Sequence, residues 1–171
     1  VGQHRRMPVD GWRSVLGRIR DSLIMLNDVK ADISVLVMKR NRSPSALLQV
    51  GGGSNASLSD VLVEDNACGP EAFGTTIGAE IRSCGILVND AAMTLSSGVF
   101  RRNKIGIGTT TMTGYGGAIL VRSDEPASIT HCVFEHNVAP SGGAVVLNSG
   151  FLNATLSNCT FRNNSALPVT P

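Results

Sequence analysis

Acid–base chemistry needs titratable side chains that converge, and this chain of 171 residues offers few candidates. Its acids between residues 60 and 135 are Asp60, Glu64, Asp65, Glu71, Glu80, Asp90, Asp124, Glu125 and Glu135. A general acid and its base must face one pocket. Glu64 and Asp65 are adjacent, so in a strand they point to opposite faces. Asp124 and Glu125 precede Pro126 in an expected turn. His136, in "FEHN", is the candidate general base, set against the plainer reading of a solvated side chain. The Gly-rich stretch "GIGTTTMTGYGG" (106–117) lacks the Lys and the following helix of a phosphate-binding loop and reads as an ordinary loop. Cys68, Cys84, Cys132 and Cys159 show no CxxC or Cys/His ligand spacing. No catalytic, metal or cofactor site is expected from these residues.

Composition points instead to shape. Glycine is frequent (19) and aromatic residues are scarce (4%), which favours tight turns and thin layers over a bulky helical core. Hydrophobic content of 42% is enough for one folded domain. A net charge of +2 gives no reason to expect nucleic acid as a partner. The charge is uneven: residues 1–42 hold nine Lys or Arg against four Asp or Glu. No run reaches the roughly 18 apolar residues that span a bilayer. The chain begins on Val and ends on "LPVTP", so it reads as a piece of a longer protein. Asn41, Asn55, Asn153, Asn158 and Asn163 each head an Asn-x-Ser/Thr triplet, an excess that favours a secreted or surface chain. A repeat that places Asn, Ser and Thr at its turns would produce the same triplets without any glycan.

Such a repeat is present. An aliphatic residue, a small or apolar residue three later, a larger apolar residue at five and Asn at eight recur together. The sets are 156/159/161/164, 129/132/134/137, 95/98/100/103 and 58/61/63/66, with a looser one at 33/36/38/41. Between them lie "GGAIL" (116–120) and "GGAVV" (142–146), with weaker copies "GAEI" (78–81) and "SALL" (45–48). Unit starts are therefore spaced 25, 37, 34 and 27 residues apart. Apolar positions zero and five differ by an odd number, so one straight strand cannot bury both. A corner must fall at position two, held by Val35, Asp60, Ser97, His131 and Asn158. Asp and Asn tolerate the left-handed backbone that such a corner uses.

Short strands, sharp corners and this period predict an all-β, right-handed parallel β-helix of about five rungs over 33–166. Phe100, Phe134 and Phe161 should stack in one interior column, and Asn103, Asn137 and Asn164 in a ladder of side-chain amides. Residues 167–171 form a tail or the start of a continuation. Residues 1–32 form a basic flank in which Trp12, Val15, Leu16, Ile19, Leu23 and Leu26 follow roughly helical spacing. An amphipathic helix capping the open end is the preferred reading there. A membrane-surface helix or an extra irregular rung are the alternatives.

FRRN, FEHN and FRNN, with GGAI and GGAV, resemble the repeat of the chlamydial polymorphic outer membrane proteins. More broadly they resemble the parallel β-helix repeats of pectin-lyase-like proteins. The likeness is good over 92–166, weak over 33–91 and absent from 1–32. It implies a secreted or cell-surface module, at the outer membrane if the source is bacterial, that acts in adhesion. Related β-helix enzymes carry clustered Asp as NTD or DD, with GHG and RIK segments, and none of these strings occurs here.

The preferred expectation is a non-enzymatic adhesion or binding module whose ligands are glycans or a host or cell-surface protein. The alternative is a fragment of a carbohydrate-active lyase or hydrolase with its catalytic rungs elsewhere. Any membrane association would come from regions outside this stretch or from the basic flank. Extra length after Asn66 and Asn103 places two insertions side by side, and Phe73, Met112 and Tyr115 on them are the candidate ligand contacts. Unconstrained surface length is the alternative for these loops. Cys68 and Cys84 flank the first insertion and can close it as a disulfide. Cys132 and Cys159, on neighbouring rungs, read as free thiols rather than a bond.

Overall fold

The computed structural model describes residues 24–43, 46–69, 83–106, 114–148 and 153–166. Within them the chain winds through five rungs, each giving one short strand to each of four parallel sheets. The first rung comprises β1 (Ile24–Asn27), β2 (Lys30–Ser34), β3 (Val37–Lys39) and β4 (Arg42–Ser43). The second comprises β5 (Leu48–Gly51), β6 (Asn55–Ser59), β7 (Leu62–Glu64) and β8 (Ala67–Cys68). In the third are β9 (Ile86–Asn89), β10 (Ala92–Ser96), β11 (Val99–Arg101) and β12 (Lys104–Ile105). The fourth holds β13 (Ile119–Arg122), β14 (Ala127–Thr130), β15 (Val133–Glu135) and β16 (Val138–Ala139). Strands β17 (Val145–Leu147), β18 (Ala154–Ser157), β19 (Thr160–Arg162) and β20 (Ser165–Ala166) complete the fifth. The protein is a parallel β-solenoid, and no helix occurs among the described residues.

The register follows the sequence repeat. In the second sheet Ile33 pairs with Leu58, Leu58 with Leu95, Leu95 with Ile129 and Ile129 with Leu156. The third sheet aligns Met38, Val63, Phe100, Phe134 and Phe161. Parallel spacing of ~4.8 Å puts rung on rung over roughly 20 Å. Side chains alternate along each strand, so Leu48 and Val50, Ile86 and Val88, or Ile119 and Val121 enter one continuous core with Leu58, Leu95, Phe100 and Phe134. The rings of Phe100 and Phe134 stack with centroids 5.0 Å apart, those of Phe134 and Phe161 at 4.8 Å.

Two corner columns turn each rung. At the first, Val35, Asp60, Ser97, His131 and Asn158 all have positive φ, between 51° and 61°. At the second, Arg40, Asp65, Arg102, His136 and Asn163 do the same. One left-handed residue per corner redirects the strand while the neighbouring amides keep their rung-to-rung hydrogen bonds. Gly117 fits a third tight place: a Cβ there would lie 2.1 Å from the Gly143 carbonyl oxygen of the next rung. The Ala118 that follows is fully buried.

The solenoid starts earlier than the repeat template indicates. Ile24–Asn27 pairs with Leu48–Gly51, so residues 24–32 belong to the first rung rather than to a flank. Leu26, the last residue of the expected amphipathic helix, lies in that strand with its side chain packed on the core. Strand pairing and core contact are available at this end of the stack, and they override a weak helical periodicity. The rest of the candidate capping helix, and the tail from 167 onward, lie outside the described residues.

Candidate binding surface

The Asn column is the chain's most ordered polar feature. Asn41, Asn66, Asn103, Asn137 and Asn164 succeed one another, each Nδ2 donating to the next Oδ1 at 2.8–3.0 Å. The same oxygens accept the backbone N–H of the preceding Asn, as Asn41 to Asn66 and Asn103 to Asn137. The second Nδ2 hydrogen goes to a strand carbonyl of the preceding rung, as Asn103 to Val63 and Asn137 to Phe100. Every donor in the interior of the ladder is used, so this column holds the fold and is closed to ligands.

The acids are equally committed. Outward positions of the third sheet read Lys39, Glu64, Arg101, Glu135 and Arg162, alternating in sign from rung to rung. Glu64 sits 3.0 Å from Lys39 Nζ and 2.8 Å from Arg101 Nε, and also pairs with Arg102. Burial alone would raise its carboxyl, but Arg101 and Lys39 overcome that and hold it at about 2. Asp65 accepts from Arg102 Nε at 2.6 Å, which lowers its carboxyl against the opposing effect of burial. Glu135 pairs with Arg162. Carboxylates held ionised by cations do not act as proton donors near neutral pH. Glu64 faces outward from the strand and Asp65 occupies the corner, yet one Arg102 side chain reaches both.

The histidines stay apart. His131 and His136 are both exposed corner residues of the fourth rung, and the ring Nε2 of His131 lies 3.4 Å from Asn158 Nδ2. No group of three or more His, Cys, Asp or Glu among the described residues is placed to hold a metal ion.

The Cys68 and Cys84 sulfurs are bonded at 2.19 Å, with Cα atoms 5.3 Å apart, and tie the first insertion to its base. Cys132 and Cys159 are free. Burial pushes the Cys132 thiol up to about 11, and its sulfur accepts the Gly98 N–H at 3.3 Å. The two insertions do leave from adjacent strands, since β8 pairs with β12 through Ala67 and Lys104. Phe73 and Met112 lie outside the described residues. Tyr115 packs back on Ala46, Leu87 and Leu120, an apolar patch on the outer side of the first sheet. It therefore contributes to covering Leu87 and Leu120.

Among the Asn-x-Ser/Thr triplets, Asn55, Asn153, Asn158 and Asn163 are exposed. Asn153 Nδ2 donates to the Asp124 carbonyl at 2.9 Å. Asn41 differs: it is 8% exposed and its Nδ2 donates into the Asn ladder. A glycan on that nitrogen would need space at a buried amide that already donates to Asn66. Of the five triplets, Asn41 is thus the one whose amide is part of the folded interior.

The outer face of the second sheet is the surface that sequence reasoning missed. On each strand two outward positions flank the buried aliphatic residue. One column reads Ser34, Ser59, Ser96, Thr130 and Ser157, the other Asp32, Ser57, Thr94, Ser128 and Thr155. All ten are exposed or half-exposed. From the second rung to the fifth, both columns carry only hydroxyls. No hydrogen bond within the described residues engages any of these hydroxyl groups. The signal was available as a Ser or Thr immediately after the aliphatic residue in all five units. Parallel strands set the rows ~4.8 Å apart, and two residues along a strand set the columns roughly 6.6 Å apart. The result is a flat, neutral lattice of donors and acceptors. Compared with known protein families, curated proteins and solved structures, the chain finds no match.

Proposed function

We propose that the chain is a non-enzymatic binding module of a secreted or cell-surface β-helix protein, acting in adhesion to a neutral glycan polymer. The supporting observation is the hydroxyl lattice of the second sheet. Its groups have no partners of their own within the described protein, so a ligand hydroxyl can exchange water for them without breaking an internal bond. Each such bond is worth only about 1 kcal/mol, but the lattice repeats along the stack, and a polymer can occupy several rows at once. A polyanion would find no counter-charge on rungs two to five of this face. The four exposed Asn-x-Ser/Thr sites and the resemblance to polymorphic outer membrane and pectin-lyase-like repeats support an extracellular setting.

Co-sedimentation with insoluble neutral polysaccharides such as cellulose and chitin, with pectate as the acidic comparison, tests this reading. Binding to a neutral polymer should be lost in a Thr94→Glu/Ser128→Glu variant whose circular dichroism is unchanged. A wild-type protein that binds none of them, or a variant that binds as well, overturns it. Release of new sugar ends from any of these polymers would favour the alternative of a polysaccharide lyase or hydrolase fragment.

A further inference from the structure

Two of the exposed Asn-x-Ser/Thr triplets share residues with the hydroxyl lattice. Asn55-Ala56-Ser57 runs along β6, and Ser57 is a lattice member. Asn153-Ala154-Thr155 runs into β18, and Thr155 is a lattice member. Residues two apart on a strand point to the same face, so each asparagine stands outward beside its own triplet hydroxyl. Both asparagines and both hydroxyl residues are exposed, while Ala56 between the first pair is fully buried.

The fold does not ask for Asn at either place. Asn158 and Asn163 hold the two left-handed corners of the fifth rung, at φ 52° and 51°, a conformation that Asn tolerates well. Asn55 and Asn153 have no positive φ. The column they share reads Lys30, Asn55, Ala92, Pro126 and Asn153 from rung to rung, so no amide ladder runs through it. The Asn55 side chain makes no hydrogen bond within the described residues. Asn153 Nδ2 gives one hydrogen to the Asp124 carbonyl and has a second. A glycosylated amide nitrogen keeps one hydrogen, so that bond survives modification.

We propose that Asn55 and Asn153 are N-glycan attachment sites whose glycans lie over the hydroxyl lattice and close it to polymer. The closing rests on the adhesion reading of that face; the attachment does not. The co-reactant is an oligosaccharide carried on a lipid diphosphate. The Nδ2–C1 bond forms, the C1–O bond to the diphosphate breaks, and Nδ2 loses one proton. The two sites sit on rungs two and five, about 14 Å apart along the stack. Between them lie Thr94, Ser96, Ser128 and Thr130, which a bulky, hydrated glycan at either end overhangs. Asn163 stands at the second corner, with the whole third sheet between it and the lattice. A glycan there leaves the lattice open.

The protein secreted from cultured eukaryotic cells is the test material, and glycopeptide mapping should find glycan on both Asn55 and Asn153. Thr94→Cys in a Cys159→Ser background should react more slowly with a polyethylene-glycol maleimide than the same protein carrying Asn55→Gln/Asn153→Gln. Asn163→Gln should leave that rate unchanged. With unchanged circular dichroism, Asn55→Gln/Asn153→Gln should bind insoluble neutral polysaccharide about tenfold more tightly than wild type, the scale of one or two hydrogen bonds regained. Bare Asn at either position, or equal maleimide rates with and without the two glycans, overturns the proposal. Wild type that binds polymer as well as the double variant overturns it too, and leaves the adhesion reading intact. If the glycans slow the maleimide and neither protein binds any polymer, attachment and coverage stand and the adhesion reading falls.

Discussion

Asn103 Nδ2 donates to Asn137 Oδ1 at 2.9 Å while the Asn103 backbone amide donates to the same oxygen at 3.1 Å. One acceptor thus satisfies two donors from the rung below it, and both partners are fully buried. Asn103→Ala would leave the Asn66 backbone amide and one Asn66 Nδ2 hydrogen without their acceptor, and would remove one of the two donors to Asn137 Oδ1. The expected loss is about 2–4 kcal/mol by urea denaturation, since each buried unpaired group costs ~1–3 kcal/mol. Asn164→Ala, at the end of the ladder, should cost visibly less. Equal losses at the two sites would show that the ladder is not the source of stability.

The phenylalanine column gives a second graded series. Phe134→Ala should destabilise by ~3–5 kcal/mol, because it removes a fully buried ring stacked on both sides. Phe161→Ala removes a half-exposed ring with one stacked neighbour and should cost less than half as much. Denaturant midpoints at unchanged slope are the measurement.

Acid should loosen the third sheet before any other. The Glu64 carboxyl lies at about 2 in the folded protein, below its ordinary value of 4.5. A lowered carboxyl contributes stability that is complete above the unfolded value and is lost as pH falls through the folded one. Stability should therefore decline between pH 4.5 and 2, and Glu64→Gln should flatten this part of the profile. A wild-type curve flat across that window would contradict the assignment.

Val35 is a β-branched residue held at φ 61°, a conformation that costs L-residues about 1–2 kcal/mol. The other units place Asp, Ser, His or Asn at this corner. Val35→Asn should raise stability by about 1 kcal/mol in thermal and urea melts. Since Val35 is 53% exposed, little packing is lost with its methyl groups.

The disulfide closes a loop with a sequence separation of 16. Replacing Cys68 and Cys84 by Ser should cost about 3 kcal/mol on the loop-entropy scale. Non-reducing peptide mapping should recover the Cys68–Cys84 link, with Cys132 alkylated only after unfolding because its thiol is buried.

By itself the sequence determined the period, the register and the first corner. Ile33, Leu58, Leu95, Ile129 and Leu156 recur at the positions that pair. Asn recurs where a buried amide must be satisfied, and small polar residues where φ must be positive. These are local demands repeated in every rung, so they leave a mark in every unit. Tertiary structure decided what depends on neighbours 25–37 residues away. It brought Lys39, Glu64 and Arg101 into one ion-paired column and used Arg40 and Arg102 at a second left-handed corner, although Arg has no local preference for it. It drew residues 24–32 into the first rung by strand pairing and turned Tyr115 onto Leu87 and Leu120. Stacking also converted isolated Ser and Thr residues into a lattice. A single strand specifies which side chains face out, but only the register between strands specifies what stands beside them.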